Sequence, residues 1–229
     1  MKRIGIVGGI GPESTIEYYR LLIAERHLAI TIDSVEVQAL LDFMQAGALP
    51  KVADYLVTAV NRLAGGGADV AIIAANTPHI VFDEVARRAP IPMVSIVEAA
   101  AEHIASLGLS RVALLGTRYT MEGRFYQDVF TRRGIPLVIP SDADRAFVHD
   151  RYINEFLKNI FSPETRAGLI AVIDRMVERD RIEAVILGGT ELPLILTGDS
   201  HQGVRLLDTT RIHVRAVLKY VRESDERPA

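Results

Sequence analysis

The hexapeptide Arg3-Ile-Gly-Ile-Val-Gly8 returns 108 positions later as Arg111-Val-Ala-Leu-Leu-Gly116. Each is a short apolar run that stops at glycine, the pattern of a buried strand entering a tight turn. A second pair behaves alike: Ala74-Ala75-Asn76-Thr77 has a counterpart in Gly188-Gly189-Thr190-Glu191, 114 positions on. Two similar offsets point to two copies of one structural unit. Strand patterns alternate with helical ones through both copies, so each is expected to be a parallel sheet flanked by helices. The predicted fold class is α/β with two pseudo-symmetric lobes. Facing lobes would bring Ala75 and Gly189 to opposite walls of one cleft, and the site is expected in that cleft.

Working outward, Ile4 to Val7 reads as the first strand, and Gly8-Gly9-Ile10-Gly11-Pro12 ends it. Ile16, Tyr19 and Ile23 recur at helical spacing, with Pro12 in the first turn. Residues 35–41 read as a second strand. Pro50 opens a helix with Val52, Leu56, Val60 and Leu63 on one face, stopped by Gly65-Gly66-Gly67. Strands at 70–74 and 90–95 bracket a short helix at 83–88, and an Ala-rich helix runs over 97–107. In the second copy, strands are predicted at 112–115, 136–139, 185–188 and 206–208. Helical patterns cover 144–161, the stretch that Ser162-Pro163 caps, and 210–221.

Composition narrows the function classes. The chain has 229 residues, 49% hydrophobic and 24% charged, with a formal net charge of -3. That is ample for one large core or two small ones. No basic run and few aromatics argue against nucleic acid as a partner. No apolar run reaches the length of a membrane span, and the N-terminus turns to glycine too early for a signal-peptide core. A cytoplasmic protein without membrane contact is the expectation. Cysteine is absent, which excludes disulfides, thiolate metal sites and thiol nucleophiles.

The glycine loop after the first strand either is a plain tight turn or suits a carboxylate or phosphate, because backbone N–H groups and a helix start favour an anion. It is not a dinucleotide fingerprint. The same turn of the second copy carries Thr117, Arg118 and Thr120: its two hydroxyls and helix start suit a carboxylate, or else they are a helix cap beside a surface arginine. Asn76 and Thr77 in one copy, with Thr190 and Glu191 in the other, complete a polar lining. The six histidines are His27, His79, His103, His149, His201 and His213, and they show no compact metal-ligand spacing. His79 either reaches the cleft or is structural. Glu191 either acts as a base or anchors its loop. Lys158 either reaches an acidic ligand or is solvated.

Taken together these residues resemble the aspartate/glutamate racemase superfamily, and its broad-specificity amino-acid racemase branch in particular. The resemblance rests on Gly8-Gly9-Ile10-Gly11-Pro12-Glu13-Ser14-Thr15-Ile16, on Asn76-Thr77-Pro78-His79, and on Val112-Ala-Leu-Leu-Gly-Thr-Arg-Tyr-Thr-Met-Glu122. It continues through Gly188-Gly189-Thr190-Glu191 and Asp208-Thr209-Thr210 with Ile212-His213, nearly the whole chain in order. It implies two lobes, residues 1–97 with 210–229 and residues 98–209, the final helix returning to the first. It also implies a homodimer, and chemistry that uses neither pyridoxal nor a metal.

In the family two thiols flank the substrate α-carbon, one removing the proton and the other returning it to the opposite face. Inversion through a planar carbanion needs a base on one side and an acid on the other, and thiols with an ordinary pKa near ~8.5 serve as either. The resemblance puts those thiols at Ala75 and Gly189, and neither residue carries a proton. The two-thiol reaction is therefore excluded. The residues expected to hold a small amino acid or dicarboxylate are Gly9, Gly11, Ser14, Thr15, Asn76, Thr77, Thr117, Thr120 and Thr190. Leu40 stands where the branch has a polar serine beside Asp42-Phe43. Two readings follow: an enzyme in which Glu191, His79 or a water moves the proton, or an inactive binding or regulatory protein on the racemase scaffold.

Overall fold

The computed structural model describes residues 2–25 and 28–225. The chain divides into two compact units, Met1–Ile96 with Thr210–Ala229, and Val97–Thr209. In the first unit β1 (Ile4–Gly8) lies between β2 (Ile30–Ser34) and β3 (Val70–Ile73), all parallel. In the second, β4 (Val112–Gly116) lies between β5 (Leu137–Val138) and β6 (Ala184–Gly188), again parallel. Beyond β6 this sheet gains β7 (Ser200–His201) and β8 (Val204–Asp208). β8 is parallel to β6, and β7 closes the edge antiparallel to β8.

The repeat seen in the sequence is carried by the register. Ile4 pairs with Val70, and its counterpart Val112 pairs with Ala184. The likeness extends one strand further. Ala71 makes a parallel bridge to Met93, as Val185 does to Leu206 within β8. β1, β3, β4 and β6 are buried along their whole length, as parallel strands covered on both faces should be.

Three expectations need correction. Residues 35–41 are not a strand: β2 is the β-branched run Ile30-Thr31-Ile32 with Asp33 and Ser34, and Val37–Gln45 is a helix. Leu40 and Met44, one helical turn apart, are that helix's buried contacts. The predicted strand at 90–95 is reduced to the bridge at Met93. Pro90 and Pro92 have no N–H to give a ladder, although the Pro92 carbonyl still accepts from the Ala71 amide at 2.9 Å. On the helix Pro12–Glu25 the period is helical but the buried face is Ser14, Tyr18 and Leu22, while Ile16, Tyr19 and Ile23 are exposed.

The 144–161 segment is a helix at Asp142–Asn154, then a 3-10 turn at Phe156–Lys158 that ends on left-handed Asn159. Ser141 caps the first by accepting the Asp144 amide at 3.3 Å, and Ser162 caps the helix Pro163–Asp180 by accepting the Thr165 amide at 3.1 Å. The last helix, Thr209–Asp225, sends Val214, Val217 and Val221 into one cluster with Ile4, Ile6, Tyr18, Leu22 and Ile72 of the first unit. Each such valine contributes on the order of 1.5–3 kcal/mol by leaving water, which ties the chain's end to its beginning. No described helix is long and apolar enough to cross a membrane.

Candidate functional site

In the first unit the polar residues gather after β1 and β3. Gly9 and Gly11 have positive φ, +81° and +97°, in the turn that leads to the helix Pro12–Glu25. The Gly9 amide donates to Thr15 Oγ1 at 2.9 Å, so this N–H is engaged within the loop. The buried Ser14 hydroxyl donates to the Ala74 carbonyl and fastens the loop to the end of β3. The Ala74 amide in turn donates to the Val7 carbonyl at 3.0 Å. Ala75 and Asn76 follow, both buried, then Thr77 at the head of the 3-10 turn Thr77–Val81.

His79 is buried, with both ring nitrogens engaged. The Ile96 amide donates to Nε2 at 3.2 Å, which places the proton on Nδ1, where it is donated to the Ala75 carbonyl at 2.9 Å. The ring stacks on Phe82 with centroids 4.9 Å apart. Burial, reinforced by nearby His213, pulls the His79 pKa down to about 3 against the backbone hydrogen bonds that oppose it. His213 is the partner of Tyr18, whose hydroxyl lies 2.8 Å from Nδ1, while Nε2 faces the Val94 carbonyl at 3.0 Å. Burial brings its pKa down to about 4. Each ring is fixed in tautomer by its two hydrogen bonds: His79 holds the backbone at Ala75, just past β3, and His213 the backbone at Val94.

In the second unit Thr117 caps the short helix Arg118–Glu122, its Oγ1 accepting the Thr120 amide at 3.3 Å. The two hydroxyls lie 3.2 Å apart and both residues are buried. The exposed Arg118 donates its amide to His149 Nδ1 at 3.3 Å. β4 and β6 approach closely here, and a Cβ on Gly116 would lie 2.6 Å from the Gly188 carbonyl. Gly189, Thr190 and Glu191 follow β6, all buried. Glu191 Oε2 accepts the Thr190 hydroxyl at 3.0 Å and also the hydroxyl of Tyr152, from the helix Asp142–Asn154. At this end of the sheet the Thr209 hydroxyl donates to the Leu187 carbonyl at 2.8 Å.

The structure therefore brings Gly9, Gly11, Ser14, Thr15, Asn76, Thr77, Ala75 and His79 together in one unit, and Thr117, Thr120, Gly189, Thr190 and Glu191 in the other. Lys158 is exposed in the turn after its helix, and His27 lies outside the described residues. Tyr152 escapes sequence reading, because Val148, Tyr152 and Phe156 recur at helical spacing and look like plain core, which they also are. Among the described residues no three His, Asp or Glu side chains form a group able to hold a metal ion.

Residues 7–217 match the model of the Asp/Glu/Hydantoin racemase family. A candidate Asp/Glu racemase from Yersinia pestis is 32% identical, with a TM-score of 0.85 over 96% of this chain and 99% of that one. An aspartate racemase homologue from Pyrococcus horikoshii OT3 is 33% identical, with a TM-score of 0.80 over 97% of this chain and 100% of that one. The glutamate racemase of Koribacter versatilis is 30% identical over 63% of this chain, which spans only 49% of that relative's length.

Proposed function

The chain belongs to the Asp/Glu/Hydantoin racemase family, and on that premise we propose that it binds a small amino acid or dicarboxylate without two-thiol racemisation. One observation carries the proposal: alanine at 75 and glycine at 189 stand where the resemblance puts the thiols, in a chain with no cysteine. Around these positions the hydrogen-bonding residues persist. Asn76 and Thr77 follow β3, Thr117 and Thr120 follow β4, and Thr190 follows β6. The binding uses neither pyridoxal nor a metal, and the protein works as a homodimer. The aspartate and glutamate in its relatives' names set the first ligands to try.

The test is thermal unfolding with L- and D-aspartate, L- and D-glutamate and amine-free dicarboxylates. A ligand at one hundred times its dissociation constant stabilises by about 2.7 kcal/mol. In a chain of this size that raises Tm by roughly 5–10 °C. No shift with any of these acids at saturating concentration would end the proposal. A second reading, an enzyme with altered chemistry, draws on the Glu191 carboxylate at the end of β6, which is held by two hydroxyls. It requires exchange of a ligand's α-hydrogen in deuterated water, seen by NMR, and loss of that exchange in Glu191→Gln.

A further inference from the structure

Gly189 has no positive φ, so its backbone does not itself call for glycine. Another element demands glycine there. A Cβ on residue 189 would lie 2.4 Å from the Tyr152 hydroxyl oxygen, 2.5 Å from Cε2 and 2.7 Å from Cζ. Real side chains do not tolerate such approaches. Nor does the ring have room to yield. Tyr152 is buried, packs edge-on against Phe156 with centroids 5.5 Å apart, and shares its core with Val148, Leu169 and Ile173. Its hydroxyl is also bound, donating to Glu191.

We propose that Tyr152 decides what the end of β6 can carry: its ring excludes every side chain from position 189, and with it any thiol or other proton-carrying group. The phenol does not take over that task. Its O–H donates to the Glu191 carboxylate, and burial together with the charge of Glu191 pushes its pKa well above the ordinary phenol value. Giving the proton up would leave a phenolate beside a carboxylate. The tip is thus a fixed wall made of Tyr152, Glu191 and Thr190. Restoring a cysteine at 189 requires removing the tyrosine ring as well. This deepens the proposed function and rests on it only in taking this tip as part of the binding site.

The test is a set of melts on ligand-free protein. Gly189→Ala and Gly189→Cys are each expected to lower Tm by about 5 °C through overpacking. In a Tyr152→Met background the same changes cost no more than about 1 °C, because the flexible methionine yields. In Tyr152→Phe the ring remains and most of the penalty persists. Tyr152→Leu repeats the comparison if the methionine variant does not fold. Full penalties in the Met and Leu backgrounds, or no penalty in the parent chain, overturn the proposal. Because no ligand is present, failure here leaves the acid-binding reading standing, and a missing ligand shift leaves this one standing.

Discussion

His79, the histidine the sequence nominates for chemistry, is together with its neighbour His213 an element of stability. Both sit neutral in the first unit with pKa values of about 3 and about 4, below the unfolded value of about 6.5. A base with a depressed native pKa binds fewer protons folded than unfolded. Its stabilising effect is therefore complete above about pH 6.5 and is lost as pH falls towards the native pKa. Each histidine should contribute a slope of roughly 1.4 kcal/mol per pH unit once pH is below the unfolded value. Between about pH 6 and 5 ordinary carboxylates remain ionised, so the histidines dominate that window; His149, whose pKa is lowered by burial and by Arg118, adds to the slope in the same direction. Denaturant melts across it should show stability falling by roughly 2–3 kcal/mol per unit. His79→Gln, compared with its own stability at neutral pH, should remove about 1 kcal/mol per unit of that slope. An unchanged slope would mean that His79 is protonated in the folded chain.

At the level of an element, the glycine loop after β1 is shaped by a close backbone approach. Gly9 has φ +81°, and a Cβ there would lie 2.3 Å from the Val35 carbonyl oxygen. Gly47 has φ +65° with nothing within 4 Å of its absent Cβ. Gly47→Ala should therefore cost only the left-handed strain, about 1 kcal/mol. Gly9→Ala adds a backbone collision and should cost about 3 kcal/mol or more. Denaturant melts of the two variants make the comparison, and equal losses would contradict the loop geometry. Such geometry sets the limit of sequence reading here. β1, β3, β4 and β6 were legible because they are continuous apolar runs that end at small residues. β2 was misplaced because Ile30-Thr31-Ile32 and Leu40-Leu41 are equally apolar, and only the Leu40–Met44 spacing marks the latter as helix. Ala75 and Gly189 stand out in the sequence only against the motif that the resemblance supplies, and Tyr152 does not stand out at all. Nothing in the order of residues says that a ring 37 positions away fills the space of residue 189.

For the whole molecule, a register that repeats from Ile4–Val70 to Val112–Ala184 explains why one set of strand-end loops occurs twice. The proposed homodimer concerns a different surface. The helix Pro12–Glu25 buries Ser14, Tyr18 and Leu22 and leaves Ile16, Tyr19 and Ile23 exposed at 59%, 45% and 37%. Ile32, on β2 at the edge of the same unit's sheet, is 41% exposed. Single exposed apolar residues need no explanation, but a stripe at helical spacing on a unit that also exposes an edge-strand isoleucine is the kind of surface that association covers. If the chain dimerises through this stripe, Ile16→Glu with Tyr19→Glu places two carboxylates in the contact, where desolvation opposes them. Light scattering during size-exclusion chromatography should then show the mass fall from twice the chain's to the chain's own. Because both positions are exposed within a single chain, monomer stability should change by no more than about 0.5 kcal/mol per site. That separates a lost interface from a damaged fold. A dimer that survives both substitutions puts the contact elsewhere, and a parent chain that is monomeric at micromolar concentration removes the dimer from the proposed function.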